Sequence, residues 1–203
     1  MRHDQSLRDR LSRNLSAHPR LRGDDGDLRH AAVAVAVIDD QRGRACYLLT
    51  RRAPTLRAHS GQWALPGGRV DAGEDAVQAA CRELDEELAV RGVGVLGTLD
   101  DYSTRSGYRI TPVVLWVAQR TSVTPSPDEV AEVHRVPLTE LEREDAPQLV
   151  QIPESDRPVI RMPLGDRWIN APTAAVLYQF REVALHGRAT RVAHYEQPKF
   201  AWK

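Results

Sequence analysis

The sequence predicts an α/β fold with a mixed sheet, and three observations support this prediction. Residues 31–38 and 108–118 are apolar runs bounded by polar turns, which is typical of strands. The second run is nearly continuous, as expected of a strand that is buried on both faces. Residues 75–88, between the two runs, have the length and composition of a helix. A chain of 203 residues, 41% hydrophobic and 28% charged, suits one globular domain with terminal extensions.

The sequence of residues 1–29 predicts an N-terminal helical extension. Leu7, Leu11 and Leu15 recur once per helical turn, which gives a short helix one apolar face. A Gly-Asp loop follows this helix. We expect the apolar face to pack on the domain or to join two copies of the chain as a homodimer.

The main domain is predicted to span residues 30–165. Its second strand covers residues 46–50, after a turn that ends at Gly43, and another strand covers residues 94–99. These strands join the two apolar runs in a mixed sheet that is largely covered on both faces.

The segment of residues 166–203 is predicted to form a C-terminal helix and an aromatic tail. Residues 171–186 have helical composition, with Val176, Phe180 and Val183 at compatible spacing. Disordered tails are poor in aromatic residues, so we expect this tail to dock on the domain or on a partner subunit. The aromatic residues of the tail are Trp168, Tyr178, Phe180, Tyr195, Phe200 and Trp202.

Three carboxylates occupy adjoining turns of the predicted helix 75–88. Glu83 and Glu87 lie one turn apart and Glu86 lies beside them, so all three can face one cation. Hard oxygen ligands suit Mg²⁺ or Mn²⁺, which complete their coordination with water and substrate phosphates. For three glutamates alone, the alternative is a solvated helix face.

The residues around these glutamates favour the metal site. Gly67 and Gly68 form a turn suited to close backbone approach, and Glu74 is placed to pair with Arg82 across the loop and helix. The run from Gly68 to Val90 resembles the Nudix box, with every specified residue at its correct spacing except one. The exception is Ala89, where the family has a glycine that commonly takes the left-handed conformation at a helix exit.

This resemblance implies an α/β/α sandwich and a metal-dependent hydrolase that cleaves a nucleoside diphosphate linked to another group. It implies that Glu83, Glu86 and Glu87 bind Mg²⁺ or Mn²⁺, with the Gly67 carbonyl as a further ligand. Either Glu87 or Glu83 is then the base that takes a proton from water. A Nudix-fold sensor that binds nucleotide without cleaving it is the alternative from another functional class.

Residues 128–141 resemble the Nudix segment in which a strand enters a final helix. A glutamate here can add a metal contact or position the attacking water in that family. Glu129 is our candidate because it begins the strand at the expected rim of the cleft, and Glu132 is the competitor. A solvated strand edge remains the alternative for both. His134 is expected to be structural or solvent-facing, since a lone histidine usually is.

A second resemblance concerns the substrate. Residues 48–68 are similar to the stretch that precedes the box in coenzyme A pyrophosphatases, and residues 106–114 are similar to a later segment of that group. The resemblance implies a substrate-binding role for Arg52, Arg57 and Gly68, with a solvated face as the alternative for each arginine, and His59 lies in the same segment. Gly61 also stands at a position where that group has a glycine. Ala53, Trp63 and Leu65 depart from the group.

Coenzyme A or its thioesters are therefore the expected substrates, with adenosine 3′,5′-bisphosphate and a 4′-phosphopantetheine as products. ADP-ribose or a dinucleotide coenzyme is the alternative. The formal net charge of zero argues against nucleic-acid binding, although arginine greatly outnumbers lysine. No apolar run is long enough to span a membrane and no signal peptide is evident, so a cytoplasmic protein is expected. Cys46 and Cys81 are expected to be reduced core residues.

Overall fold

The computed structural model describes residues 1–23, 26–53 and 62–202. Its main sheet has eight strands, in the order β3-β2-β1-β7-β5, with β4 beside β1, β6 beside β7 and β8 beside β2. These strands are β1 Arg29–Asp39, β2 Ala45–Arg52, β3 Trp63–Ala64, β4 Gly67–Arg69, β5 Gly94–Thr98, β6 Tyr102–Ser103, β7 Tyr108–Trp116 and β8 Val130–Pro137.

Strand β1 lies at the centre of the sheet and explains its mixed character. It pairs in parallel with β7 and antiparallel with β2 and β4. Alternate side chains of a strand point to opposite faces, so a central strand with apolar residues at every position is covered on both sides. Ala34 and Ala36 pack toward the helix Ala76–Leu88, which we name α2, whereas Val35 and Val37 join the core on the opposite face. This confirms the predicted α/β/α arrangement.

Helix α1, Gln5–Ala17, covers the second face. The Asp4 side chain accepts a hydrogen bond from Leu7 N and caps the helix. Leu7, Leu11 and Leu15 are all buried in one core with residues of the C-terminal segment. The helix therefore packs on its own chain, and dimerisation stays a prediction.

A second, three-stranded antiparallel sheet follows the main one, and the sequence patterns did not predict it. Its strands are β9 Gln148–Ile152, β10 Ser155–Leu164 and β11 Arg167–Asn170. A short 3₁₀ helix, Leu138–Glu142, follows β8 where the sequence predicted a final helix. Strands β10 and β11 pair across residue 165, so the division into segments 1–29, 30–165 and 166–203 remains a proposal.

The C-terminal segment packs against the rest of the chain. Its α-helix, α3 Thr173–Gln179, continues into a π-helical stretch, Phe180–Leu185, and a 3₁₀ helix, Lys199–Trp202, ends the described chain. The Arg191 guanidinium donates to both carboxylate oxygens of Asp100 at 2.8 Å. Asp100 also contacts His18, so one buried carboxylate ties both terminal segments to the sheet.

The ion pair between Glu196 and Arg105 anchors the tail and makes stability depend on pH. Hydrogen bonds from Arg105 lower the pKa of the buried Glu196 carboxyl to about 2 from an ordinary 4.5. A lowered folded-state pKa stabilises the protein above pH 4.5, and this stabilisation is lost as the pH falls toward about 2. Glu196→Gln should therefore lower the free energy of unfolding near neutral pH by about 1–3 kcal/mol, measured by urea denaturation.

The difference between wild type and Glu196→Gln should shrink when the same measurement is made at a pH of about 3. Glu154→Gln is the matched control, because its partner Lys199 is exposed and the pair is expected to contribute less than about 1 kcal/mol. A stability difference that stays constant with pH would argue against this anchor.

Cys46 and Cys81 are both free thiols; Cys46 is buried as predicted, whereas Cys81 is half-buried against the core. No helix in the described part of the chain combines the length and the apolar character needed to cross a bilayer.

Candidate active site

Helix α2 presents its acidic face toward the turn that contains Gly67 and Gly68. The helix is capped by Asp75, whose side chain accepts from Gln78 N while the Gln78 side chain accepts from Asp75 N, both at 2.8 Å. This reciprocal cap fixes where the helical turns start. The opposite face is buried on the sheet through Ala80, Leu84 and Leu88.

Arg82 connects this helix to the loop before it. Its Nε and Nη2 donate to the two carboxylate oxygens of Glu74 at 3.0 and 3.1 Å, which confirms the predicted pair. Nη1 donates to Glu83 Oε1 and to Glu86 Oε2, each at 2.9 Å, and Nη2 also donates to the Arg69 carbonyl. One guanidinium therefore holds two of the predicted metal ligands and the strand that carries the glycines.

Glu87 is the most buried of the predicted ligands, with 3% of its surface exposed. Its Oε1 lies 3.9 Å from Arg52 Nη1, and its Oε2 is buried without a hydrogen-bond partner among the described residues. Burial, together with the charges of Glu83 and Glu129, raises the pKa of Glu87 to about 8 against the opposing effects of Arg52 and the Gly67 N–H. The carboxylate lacks enough positive charge around it.

Glu129 belongs to the same electrostatic cluster. Its charge acts on Glu83 and on Glu87, and burial is the main cause that raises the pKa of Glu83. Glu129 lies just before β8, where its carbonyl accepts a hydrogen bond from Ala53 N at 2.9 Å. This places Glu129 near the two predicted catalytic glutamates.

The competitor Glu132 has other partners. Its carboxylate binds Arg51 Nη1 at 2.9 Å and His134 Nε2 at 3.1 Å on the exposed face of β8. Glu132 therefore fits the solvated strand edge, and Glu129 is the better candidate for a role beside Glu83 and Glu87.

The two glycines of the turn are required by contacts. A Cβ added at Gly68 would lie 2.5 Å from Glu83 Cδ, so only glycine leaves room for the carboxylate. Gly67 has φ +156°, and a Cβ there would overlap the Ala32 carbonyl of the neighbouring strand β1. The turn thereby brings backbone directly against the acidic cluster.

The donor set fits a hard divalent cation, because it combines carboxylate oxygens with an unpartnered buried oxygen on Glu87. In residues 1–23, 26–53 and 62–202, however, no three His, Cys, Asp or Glu side chains are arranged so that they could hold a metal ion. Glu83 and Glu86 are instead bonded to Arg82. The assignment of the metal ligands stays a prediction.

A cavity of about 640 Å³ opens beside the turn. Arg52, Gly67 and Gly68 line it on the sheet side, so it adjoins the acidic cluster. The wall also includes residues that sequence reasoning did not assign to the site: Arg29, Arg69, Tyr108, Trp168 and Phe200. They lie on separate segments. The concentration of aromatic residues in the tail pointed to Trp168 and Phe200, and the resemblance of residues 106–114 to the coenzyme A group covered Tyr108.

Arg57 and His59, the other predicted substrate-binding residues, lie outside the described residues, as does Gly61. Arg52 and Gly68 do line the cavity, so the structure brings these two together with the acidic helix.

Ala89 ends α2 in the left-handed conformation, with φ 55° and ψ 32°. Its N–H donates to Asp85 O at 2.8 Å, and Val90 N–H donates to Leu84 O at 3.4 Å. Alanine is strained in this conformation because of its Cβ, whereas glycine is not. Ala89→Gly is therefore expected to raise the free energy of unfolding by about 0.5–1 kcal/mol, measured by urea denaturation.

Ala17→Gly, at the last residue of α1, is the control for the effect of glycine at an ordinary helical position and should destabilise the protein. Destabilisation by Ala89→Gly as well would show that the left-handed exit carries no strain.

Comparisons with known proteins agree with the geometry. The family profile described as NUDIX domain matches residues 28–161. The chain is 39% identical to the Nudix hydrolase NudL of Citrobacter koseri over 138 residues, 66% of this chain and 71% of that protein. It is 37% identical to NudL of Escherichia coli K12, again over 66% and 71%.

Solved structures give a weaker likeness. A crystal structure of a MutT Nudix hydrolase from Burkholderia pseudomallei superposes with a TM-score of 0.45 at 22% identity, and the match covers 74% of this chain and 96% of that one.

Proposed function

The chain belongs to the Nudix family, and from that premise we propose that it is a metal-dependent pyrophosphohydrolase acting on nucleoside diphosphate derivatives, with coenzyme A or its thioesters as substrate. The observation that carries the proposal is the cluster of Glu83, Glu87 and Glu129 behind a Gly-Gly turn that lines a cavity. Such clusters are unfavourable unless a cation or a proton compensates them.

Glu83, Glu86 and Glu87 would hold Mg²⁺ or Mn²⁺, together with the Gly67 carbonyl. When bound, the ion neutralises charge on the diphosphate and lowers the pKa of water. The unpartnered Oε2 of Glu87 is the strongest support for this assignment, because an ionised carboxylate oxygen buried without a partner is costly.

The proton of the attacking water would go to a carboxylate oxygen of Glu87 or of Glu83. Burial already raises the pKa of both groups, which suits a carboxylate that accepts a proton near neutral pH. Glu129 would position the water, and Arg82 would keep the glutamates in place through its hydrogen bonds.

Arg52 would bind the diphosphate. It lines the cavity and lies within ion-pair distance of Glu87, so it can contact substrate and the acidic cluster together. The Gly67-Gly68 turn lets the phosphates approach the helix, since no side chain intervenes.

Coenzyme A is the first choice of substrate because residues 48–68 and 106–114 resemble the coenzyme A group, and the cavity volume suits a ligand of that size class. ADP-ribose or a dinucleotide coenzyme is the alternative. The proposal includes a cytoplasmic enzyme and a homodimer, with no nucleic-acid or membrane partner.

The test is a comparison of kcat/KM, with Mg²⁺ or Mn²⁺, for coenzyme A, ADP-ribose, dinucleotide coenzymes and nucleoside triphosphates, with the products identified. We expect coenzyme A to be the best substrate. Cleavage of ADP-ribose without cleavage of coenzyme A would make ADP-ribose the proposed substrate. The three departures from the coenzyme A group, Ala53, Trp63 and Leu65, would then mark a change of specificity. Nucleotide binding without any cleavage would instead support the sensor.

A further inference from the structure

Two arginines of the cavity wall contact the same tyrosine. Arg29 begins β1 and Arg69 ends β4, and both line the cavity. In the sheet, Arg69 is opposite Ala31, and Arg29 is opposite Tyr108. Both cations contact Tyr108: Arg29 Cζ is 4.0 Å from the ring centroid, and Arg69 Nη2 donates to the Tyr108 hydroxyl at 3.1 Å.

Neither arginine has an anionic partner in the described part of the chain. Arg29 Nη2 donates to the Ser106 carbonyl at 3.0 Å, and Arg69 makes its side-chain hydrogen bonds to Tyr108. Other arginines near the cavity differ, since Arg82 and Arg105 each bind a carboxylate. Two like charges held on one tyrosine repel each other unless an anion binds between them.

Arg29 is set apart from the acidic cluster. Gly68, which touches Glu83, is opposite Ala32 of β1. Arg29 precedes Ala32 along the same strand by a distance of roughly 10 Å. An anion at Arg29 is therefore a different group from a diphosphate that lies against Gly68.

The same cavity offers aromatic surface. Phe200 is 57% exposed and lines the wall, as does Trp168. Exposed aromatic faces stack on nucleobases. The cavity therefore combines a place for the diphosphate, aromatic faces and an uncompensated cationic pair.

We propose that Arg29, Arg69 and Tyr108 form a subsite for a phosphate monoester on the nucleoside part of the substrate, apart from the diphosphate that is cleaved. This inference rests on the proposed function, because it takes the cavity to be the nucleotide site. Guanidinium groups match phosphate oxygens with paired N–H donors, and the tyrosine hydroxyl adds a donor. Nucleotides that carry an additional ribose phosphate are then preferred over those without one.

The test measures equilibrium binding, so it does not depend on turnover. Isothermal titration calorimetry compares adenosine 3′,5′-bisphosphate with adenosine 5′-monophosphate. Wild type should bind the bisphosphate at least about tenfold more tightly. The double variant Arg29→Gln/Arg69→Gln should lose this preference and keep its affinity for the monophosphate.

The matched control is Arg13→Gln/Arg42→Gln, which removes the same charge from exposed residues on α1 and on the turn after β1. It should keep the preference. Tyr108→Phe, which retains the ring, should lose part of it and guards against misfolding of the double variant, whose thermal unfolding is measured as well.

Equal weakening of both ligands in Arg29→Gln/Arg69→Gln, or no preference in wild type, would overturn the subsite. Hydrolysis of ADP-ribose by the same variants is measured separately, since that substrate lacks the monoester. Retained hydrolysis with no bisphosphate preference would leave the proposed function standing and the subsite refuted.

Discussion

Glu87→Gln is expected to reduce kcat by at least about 100-fold, and Glu86→Gln likewise, because each removes a carboxylate charge that stabilises the transition state through the bound metal. The two glutamates differ in setting. Glu87 is buried beside Arg52, whereas Glu86 is exposed and bonded to Arg82. Equal losses from both would show that they act as ligands of one ion. Steady-state kinetics at saturating Mg²⁺ measures the effect.

Asp85→Asn is the matched control on the same helix, because Asp85 pairs with Arg91 and does not face the cluster. Its kcat should stay within about threefold of wild type. Both glutamine variants should fold, since neither introduces a charge or a change of volume. A Glu86→Gln or Glu87→Gln enzyme with turnover within about threefold of wild type would refute the ligand assignment.

Gly68→Ala is expected to lower kcat/KM by about 100-fold or more, since a displacement of about 1 Å in a catalytic group has an effect of that size. The added methyl group would lie 2.5 Å from Glu83 Cδ, so the carboxylate must move away from the turn. Glu83 is bonded to Arg82, and its displacement would disturb Glu86 through the same guanidinium.

Gly26→Ala is the control for the change from glycine to alanine, because a Cβ at that position meets nothing within 4 Å. It should leave kcat/KM unchanged. The circular dichroism spectrum of Gly68→Ala should match that of wild type, which separates displacement of Glu83 from loss of the fold. Full activity of a folded Gly68→Ala protein would contradict the role given to this contact.

The acidic helix could be predicted in detail because its determinants are local. The pairing of Glu74 with Arg82 follows from residues only eight positions apart. The exit at Ala89 was left open by the sequence, because an alanine can also leave the helix in another conformation, and the structure shows the left-handed one. Spacing alone likewise predicts the buried helix face formed by Leu7, Leu11 and Leu15.

The cavity could not be predicted, because its walls come from distant parts of the chain. Tyr108 meets Arg29 only when β1 and β7 pair in parallel, and Phe200 reaches the cavity only through the docked tail. No local pattern specifies such pairing. The sheet β9–β11 was not predicted either. In β9 and at the start of β10, exposed and half-buried residues alternate irregularly, so these strands show no clear apolar period.

The raised pKa of Glu87 could not be predicted from the sequence either. It arises from burial and from the approach of Glu129, and Glu129 is brought close by the pairing of β8 with β2. Spacing along a helix shows which carboxylates share a face, but the degree of burial depends on the elements that pack against that face.

The most direct test of the central claim is phosphorus NMR of coenzyme A incubated with the purified protein, first with Mg²⁺ and then with a chelator in excess. We expect the diphosphate signals to disappear while adenosine 3′,5′-bisphosphate and 4′-phosphopantetheine form, and we expect the chelator to stop the reaction. Unchanged diphosphate signals for coenzyme A and for every other nucleoside diphosphate derivative, with Mg²⁺ or Mn²⁺ present, would contradict it.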